Sequence, residues 1–81
     1  MSVTLDGKQT DIIKTLGGEY VYIDTRYTFD HGWETMVFTC DENGKVTDWC
    51  DLDCEIYGTK EQADRGHTEM INRWMHKKWV N

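Results

Sequence analysis

The chain has no proline, a single serine (Ser2) and no long apolar run, and its nine lysines and arginines are outnumbered by fifteen aspartates and glutamates. Each shortage argues against a class of protein. Without proline the connections between elements are expected to be short and regular. With Ser2 as the sole serine, in an N-terminal stretch expected to be loosely held, there is no candidate for a serine nucleophile. A net charge of −6 argues against direct nucleic-acid binding, which draws its affinity from phosphate neutralisation by Lys and Arg. No segment approaches the ~20 apolar residues that span a bilayer, so no membrane partner is expected. Met1 to Thr10 lacks a basic start followed by an apolar stretch, so no signal peptide is predicted and a cytoplasmic location is expected. Cys40, Cys50 and Cys54 are odd in number and fit reduced thiols better than a disulfide framework.

What the chain does have is aromatic mass. Four tryptophans, four tyrosines and two phenylalanines sit among 81 residues, and each buried aromatic removes roughly 150–250 Å² from water. A domain of this size buries only about 60–65 % of its unfolded surface, so its core must be dense. Residues 1–81 read as one small α+β domain. Residues 1–10 are expected to be flexible, 19–52 to form a β-meander and 59–79 to form a helix.

The segment Glu19 to Phe29 is rich in Tyr, Val, Ile and Thr. Asp30-His31-Gly32 supplies turn chemistry before Trp33 to Cys40, and Glu42-Asn43-Gly44 leads into Val46 to Leu52. These are three antiparallel strands. Asp11 to Leu16, before Gly17-Gly18, fits one helical turn with a glycine stop or a short strand; β-branched Ile12, Ile13 and Thr15 tip it slightly toward a strand, which would make the sheet four-stranded, and Val3 to Leu5 is a further short strand candidate. Thr59 and Gln62 form a capping box, with Glu61 in the first turn. Ala63, His67, Met70, Ile71, Trp74 and Met75 recur at helical spacing, and Arg73, Lys77 and Lys78 complement the C-terminal dipole. A C-terminal helix packed on one sheet face follows, with Gly66 permitting close approach to the strands.

A one-residue slip sends every side chain of a strand to the other face, so register decides which surface is core. A two-residue loop at His31-Gly32 would join Val21, Ile23, Tyr27 and Phe29 with Met36, Phe38 and Cys40. A three-residue loop at Glu42-Asn43-Gly44, with Gly44 left-handed, would add Val46, Cys50 and Leu52. The opposite face would carry Tyr22, Trp33, Val37 and Trp49, too large and apolar to be ordinary solvent-facing residues. These four are the candidate protein-contact face.

Motifs with possible chemistry are weak. Cys50 and Cys54 have a spacing open to zinc, with a histidine from His31, His67 or His76, but no second Cys pair exists and no metal site is assigned. Asp51, Asp53 and Glu55 alternate like the start of a calcium loop, yet Ile56 and Gln62 stand where Gly and Glu are needed. With Asp41, Glu42 and Asp48 they are better read as a solvated, edge-protecting cluster. His67 lies on the apolar stripe and is expected to be a hydrogen-bonded core residue rather than a base. Gly17-Gly18 lacks the lysine and spacing of a phosphate loop. No cofactor is implied, and the chain is expected not to be an enzyme.

Several segments together carry a resemblance: Tyr20-Val21-Tyr22-Ile23-Asp24-Thr25, Gly32-Trp33-Glu34-Thr35-Met36-Val37-Phe38, Gly44-Lys45-Val46-Thr47-Asp48-Trp49, and Tyr57-Gly58-Thr59 followed by Ala63 and Gly66-His67. The chain resembles small uncharacterised proteins encoded by bacteriophages and prophages. The resemblance implies a phage origin and a sheet-plus-helix fold, and brings no catalytic residues with it. The expected function is therefore a non-enzymatic interaction protein acting on a host protein. The alternative is a structural homo-oligomer that buries its outer sheet face between copies; an acidic mimic of DNA ranks below both.

Overall fold

A computed structural model of the chain describes residues 8–77. The short strand expected at Val3 to Leu5, and Lys78 and Trp79, lie outside that range. The chain forms one antiparallel sheet, β1 (Gln9–Lys14), β2 (Tyr20–Thr28), β3 (Gly32–Cys40) and β4 (Val46–Tyr57), in spatial order β1-β2-β3-β4. A single helix, α1 (Lys60–Met75), follows and packs against one face. The fold is α+β, with the fourth strand supplied by the β-branched N-terminal segment. Two boundaries differ from expectation. Gln9 and Thr10 belong to β1 rather than to a loose leader, and β4 runs past Leu52 to Tyr57.

Each hairpin turns on a left-handed glycine: Gly18 at φ +94°, Gly32 at φ +77° and Gly44 at φ +84°. The third turn is built as the sequence suggests. Asp41 N–H donates to Lys45 O at 2.9 Å around Glu42-Asn43-Gly44, and the Asp41 carboxylate accepts from the Asn43 and Lys45 N–H groups. The first turn repeats this closure between Thr15 and Glu19. Its free backbone donors then meet the helix: Leu16 N–H reaches Met75 O at 3.0 Å, and Gly17 N–H reaches Lys77 O at 3.2 Å. Helix ends expose carbonyls with no intrahelical partner, so this hairpin tip serves as a tertiary C-cap and stops α1 at Met75, short of the expected 79.

The second turn is where the expected register fails. Thr28 pairs with Gly32, leaving the three residues Phe29-Asp30-His31 as the connection instead of two. That one residue turns β3 over relative to β2. Ile23 lies beside Val37 and Val21 beside Thr39, so Val37 enters the core while Met36, Phe38 and Cys40 move to the other face. Phe29, assigned to the core, is 95 % exposed at the turn tip. In β4 the pairing begins with Cys40 and Val46 but jumps from Thr39–Asp48 to Val37–Asp53 through a bulge. Cys50 and Leu52 fall in the bulged stretch and are exposed.

The core is Val21, Ile23, Val37, Met70 and Trp74, flanked by Ile13 and Ile71. Full burial of an aliphatic or aromatic side chain contributes roughly 1.5–3 kcal/mol. α1 starts at Thr59, whose hydroxyl accepts from Gln62 N–H at 3.1 Å, while Gln62 Oε1 accepts from Gly58 N–H. Gly66 has the role its position suggests. The Tyr57 ring occupies the space a Cβ would fill, so only glycine lets the helix close onto β4 at this height.

Candidate functional site

The two faces of the sheet differ chemically. Under the helix, His67 is fully buried and sits in a chain of polar side chains. Its Nε2 lies 2.8 Å from Asp11 Oδ2 and its Nδ1 lies 2.6 Å from Thr25 Oγ1. Thr25 bonds Thr35, and Thr35 in turn meets Tyr57. Thr25 Oγ1 stands between Thr35 Oγ1 and His67 Nδ1, and the imidazole tautomer sets which of the three donates. The five residues come from β1, β2, β3, β4 and α1, so this one chain ties the helix to all four strands. The Asp–His–hydroxyl order resembles a hydrolytic triad in connectivity. Thr25, however, is fully buried beside Thr35, with no accessible position for a substrate carbonyl. His67 is a buried, hydrogen-bonded core residue, as its place on the apolar stripe predicts.

A second tether lies nearby. Asp53 accepts from Trp74 Nε1–H and from Arg73, both at 3.0 Å. Burial alone would raise the Asp53 pKa, but the hydrogen bonds from Trp74, Arg73 and the Cys54 N–H, together with the Arg73 charge, hold it below the usual carboxylate value. Arg73 also reaches Glu55 at 3.7 Å. Two members of the acidic cluster, expected to be purely solvated, therefore hold the helix down.

Among the described residues, no helix covers the opposite face. Phe38 lies at its centre, with Tyr22 tilted against it at a centroid distance of 6.5 Å and Trp49 edge-on at 5.1 Å. Trp49 is 69 % exposed. Beside this aromatic row is a recess of about 200 Å³, lined by Asp24, Arg26, Glu34, Met36, Phe38 and Trp49. Asp24 forms its polar floor. Its carboxylate, 5 % exposed, accepts from Thr10 Oγ1 at 2.8 Å and Arg26 Nε at 2.7 Å, with Lys8 at 3.7 Å. A recess of this size accommodates one side chain of a partner rather than a drug-sized ligand, whose pockets run roughly 300–1,000 Å³.

The four residues expected to form one contact face are divided between the two. Tyr22 and Trp49 are together on the open face, on either side of Phe38. Val37 is fully buried in the core, and Trp33 pairs across the strands with Tyr27 at 5.5 Å. The longer β2–β3 turn is the cause. Met36 and Phe38, expected on the core face, line this one instead, and Asp24, Arg26 and Glu34 were not among the candidate contact residues. A detectable signal was the alternation Asp24-x-Arg26, which places a carboxylate and a guanidinium on the same strand face.

The thiols offer little chemistry. Burial, then the Asp41 charge, pushes the Cys40 thiol up. Cys54 is raised by desolvation and then by Glu34, Asp51, Asp53 and Glu55. Thiols held protonated are poor nucleophiles. Among the described residues, no three His, Cys, Asp or Glu side chains converge as a metal site. Also among these residues, no helix is long and apolar enough to cross a membrane. Compared with protein-family models, curated proteins and solved structures, the chain has no significant match to any of them.

Proposed function

We propose that the chain is a non-enzymatic protein-binding module whose contact surface is the open face of the sheet, with Trp49 as its anchor. The observation that carries this reading is the exposed Trp49 indole standing edge-on to Phe38 beside the recess. Tryptophans held by packing yet open to solvent are typical centres of protein interfaces, because they bury a large area with little loss of side-chain freedom. Given the resemblance to phage-encoded proteins, the expected partner is a host protein. The three unpaired cysteines are compatible with action in a reducing bacterial cytoplasm.

A second reading keeps the same face but covers it with another copy of the chain. It is favoured by exposed apolar Ile12 and Ile56, which the strand alternation places on the Phe38 side. The four carboxylates of β4, with no Lys or Arg in that strand, oppose its pairing with an identical edge. Light scattering separates the readings: a monomer at micromolar concentration leaves the face free. Affinity capture with the wild type and Trp49→Ala then tests the first directly. A stoichiometric partner lost on Trp49→Ala supports it; a partner retained at equal yield by the folded variant refutes it.

A further inference from the structure

Taking the open face as a contact surface, we infer that its recess receives a cationic side chain, a lysine or arginine, from the partner. An expected cross-strand ion pair is absent among the described residues. Register sets Arg26 directly opposite Glu34, the usual geometry for a cross-strand salt bridge. Asp24 takes the guanidinium instead, through Nε at 2.7 Å, and Arg26 and Glu34 form no ion pair among the described residues. Glu34 is left with a side chain 12 % exposed and, among the described residues, with His31 Nδ1 at 3.8 Å as the nearest basic nitrogen. His31 is itself mostly exposed, and a pair of that length is weak.

The remaining walls suit a cation with an apolar stem. Met36 and Phe38 supply an apolar floor and Trp49 an aromatic wall, a combination that suits guanidinium and ammonium groups carrying hydrocarbon chains. Among the lining residues Asp24 offsets Arg26 and leaves the charge of Glu34, while Lys8, outside the lining, adds a positive charge 3.7 Å from Asp24. Asp51, whose charge reaches Cys54 opposite Met36, adds negative charge and makes no ion pair among the described residues. A basic partner would be steered to this side of the molecule, an effect that salt screens.

The test uses the whole chain and three acetylated, amidated pentapeptides, Gly-Gly-X-Gly-Gly, with arginine, norleucine or glutamate at X. The readouts are the Trp49 indole N–H and Met36 methyl signals by NMR. The arginine peptide should shift both saturably and bind at least about fivefold more tightly than the norleucine peptide; Glu34→Gln should remove that preference. If Glu34→Gln fails to fold, Trp49→Ala at its exposed position carries the same test, with an expected loss of about fivefold in arginine-peptide affinity. Equal binding of norleucine and arginine overturns the cation site and leaves the contact surface standing. Preference for the glutamate peptide assigns recognition to Arg26 and overturns the inference. Silence of both signals with all three peptides counts against the cation site and the contact surface together.

Discussion

One sheet presents two faces that solve opposite problems. Beneath the helix, each polar group is matched: Asp11, His67, Thr25, Thr35 and Tyr57 form one continuous chain, and Asp53 holds Trp74 and Arg73. On the open face Tyr22 and Trp49 remain partly in water, and Glu34 lacks the arginine that register sets opposite it. Buried polar networks rigidify a fold only when complete, and a surface has binding energy to offer only where groups are left unmatched. On the proposed reading, stability belongs to one face and recognition to the other. Substitutions on the two faces should therefore separate cleanly.

The largest loss of stability is expected from His67→Ala, which opens a cavity and removes the imidazole partner of both Thr25 and Asp11. Urea unfolding should show destabilisation of about 3 kcal/mol or more. Gly66→Ala comes next. Alanine gains about 1 kcal/mol in helix propensity, but its methyl meets the Tyr57 ring, a clash expected to cost about 1–3 kcal/mol. Adding Tyr57→Ala to that variant should give a combined effect well below the sum of the two single effects, because the clash disappears with the ring.

A smaller, pH-dependent effect belongs to Asp53. Its folded-state pKa lies below the ordinary carboxylate value, so its contribution is complete above about pH 4 and is lost as pH falls through the depressed value. Asp53→Asn keeps an acceptor oxygen for Trp74 but removes the charge. Its melting temperature should fall less steeply than the wild type's between about pH 5 and pH 2. The smallest effect on stability is expected from Trp49→Ala, within about 0.5 kcal/mol, as for exposed side chains generally. A loss of several kcal/mol there would merge the two faces into one structural unit.

Much of the covered face was legible in the sequence. Helical spacing picked out Ala63, His67, Met70 and Trp74; Thr59 marked the start of α1, and Gly66 marked the close approach. Gly44 announced its own left-handed turn. The open face was misread at a single point, because Asp30-His31-Gly32 suits a two- or a three-residue connection equally well. β3 could not arbitrate, since it carries Trp33 and Val37 on one parity and Met36, Phe38 and Cys40 on the other. A strand with apolar residues on both faces leaves its register weakly specified by pattern. The β4 bulge carried no glycine or proline to mark it. Asp24 and Glu34 were hidden for a related reason: whether a strand carboxylate is satisfied depends on its cross-strand neighbours, and those follow from the turn.

Two tryptophan indoles report on the two faces directly. Trp49 stands on the open side, and Trp74 Nε1–H is bonded to Asp53 under the helix. Their N–H signals can be followed in one NMR spectrum as the captured partner is added. The division of faces predicts that the Trp49 signal shifts or broadens while that of Trp74 stays in place. Movement of the Trp74 signal with Trp49 unchanged would contradict it.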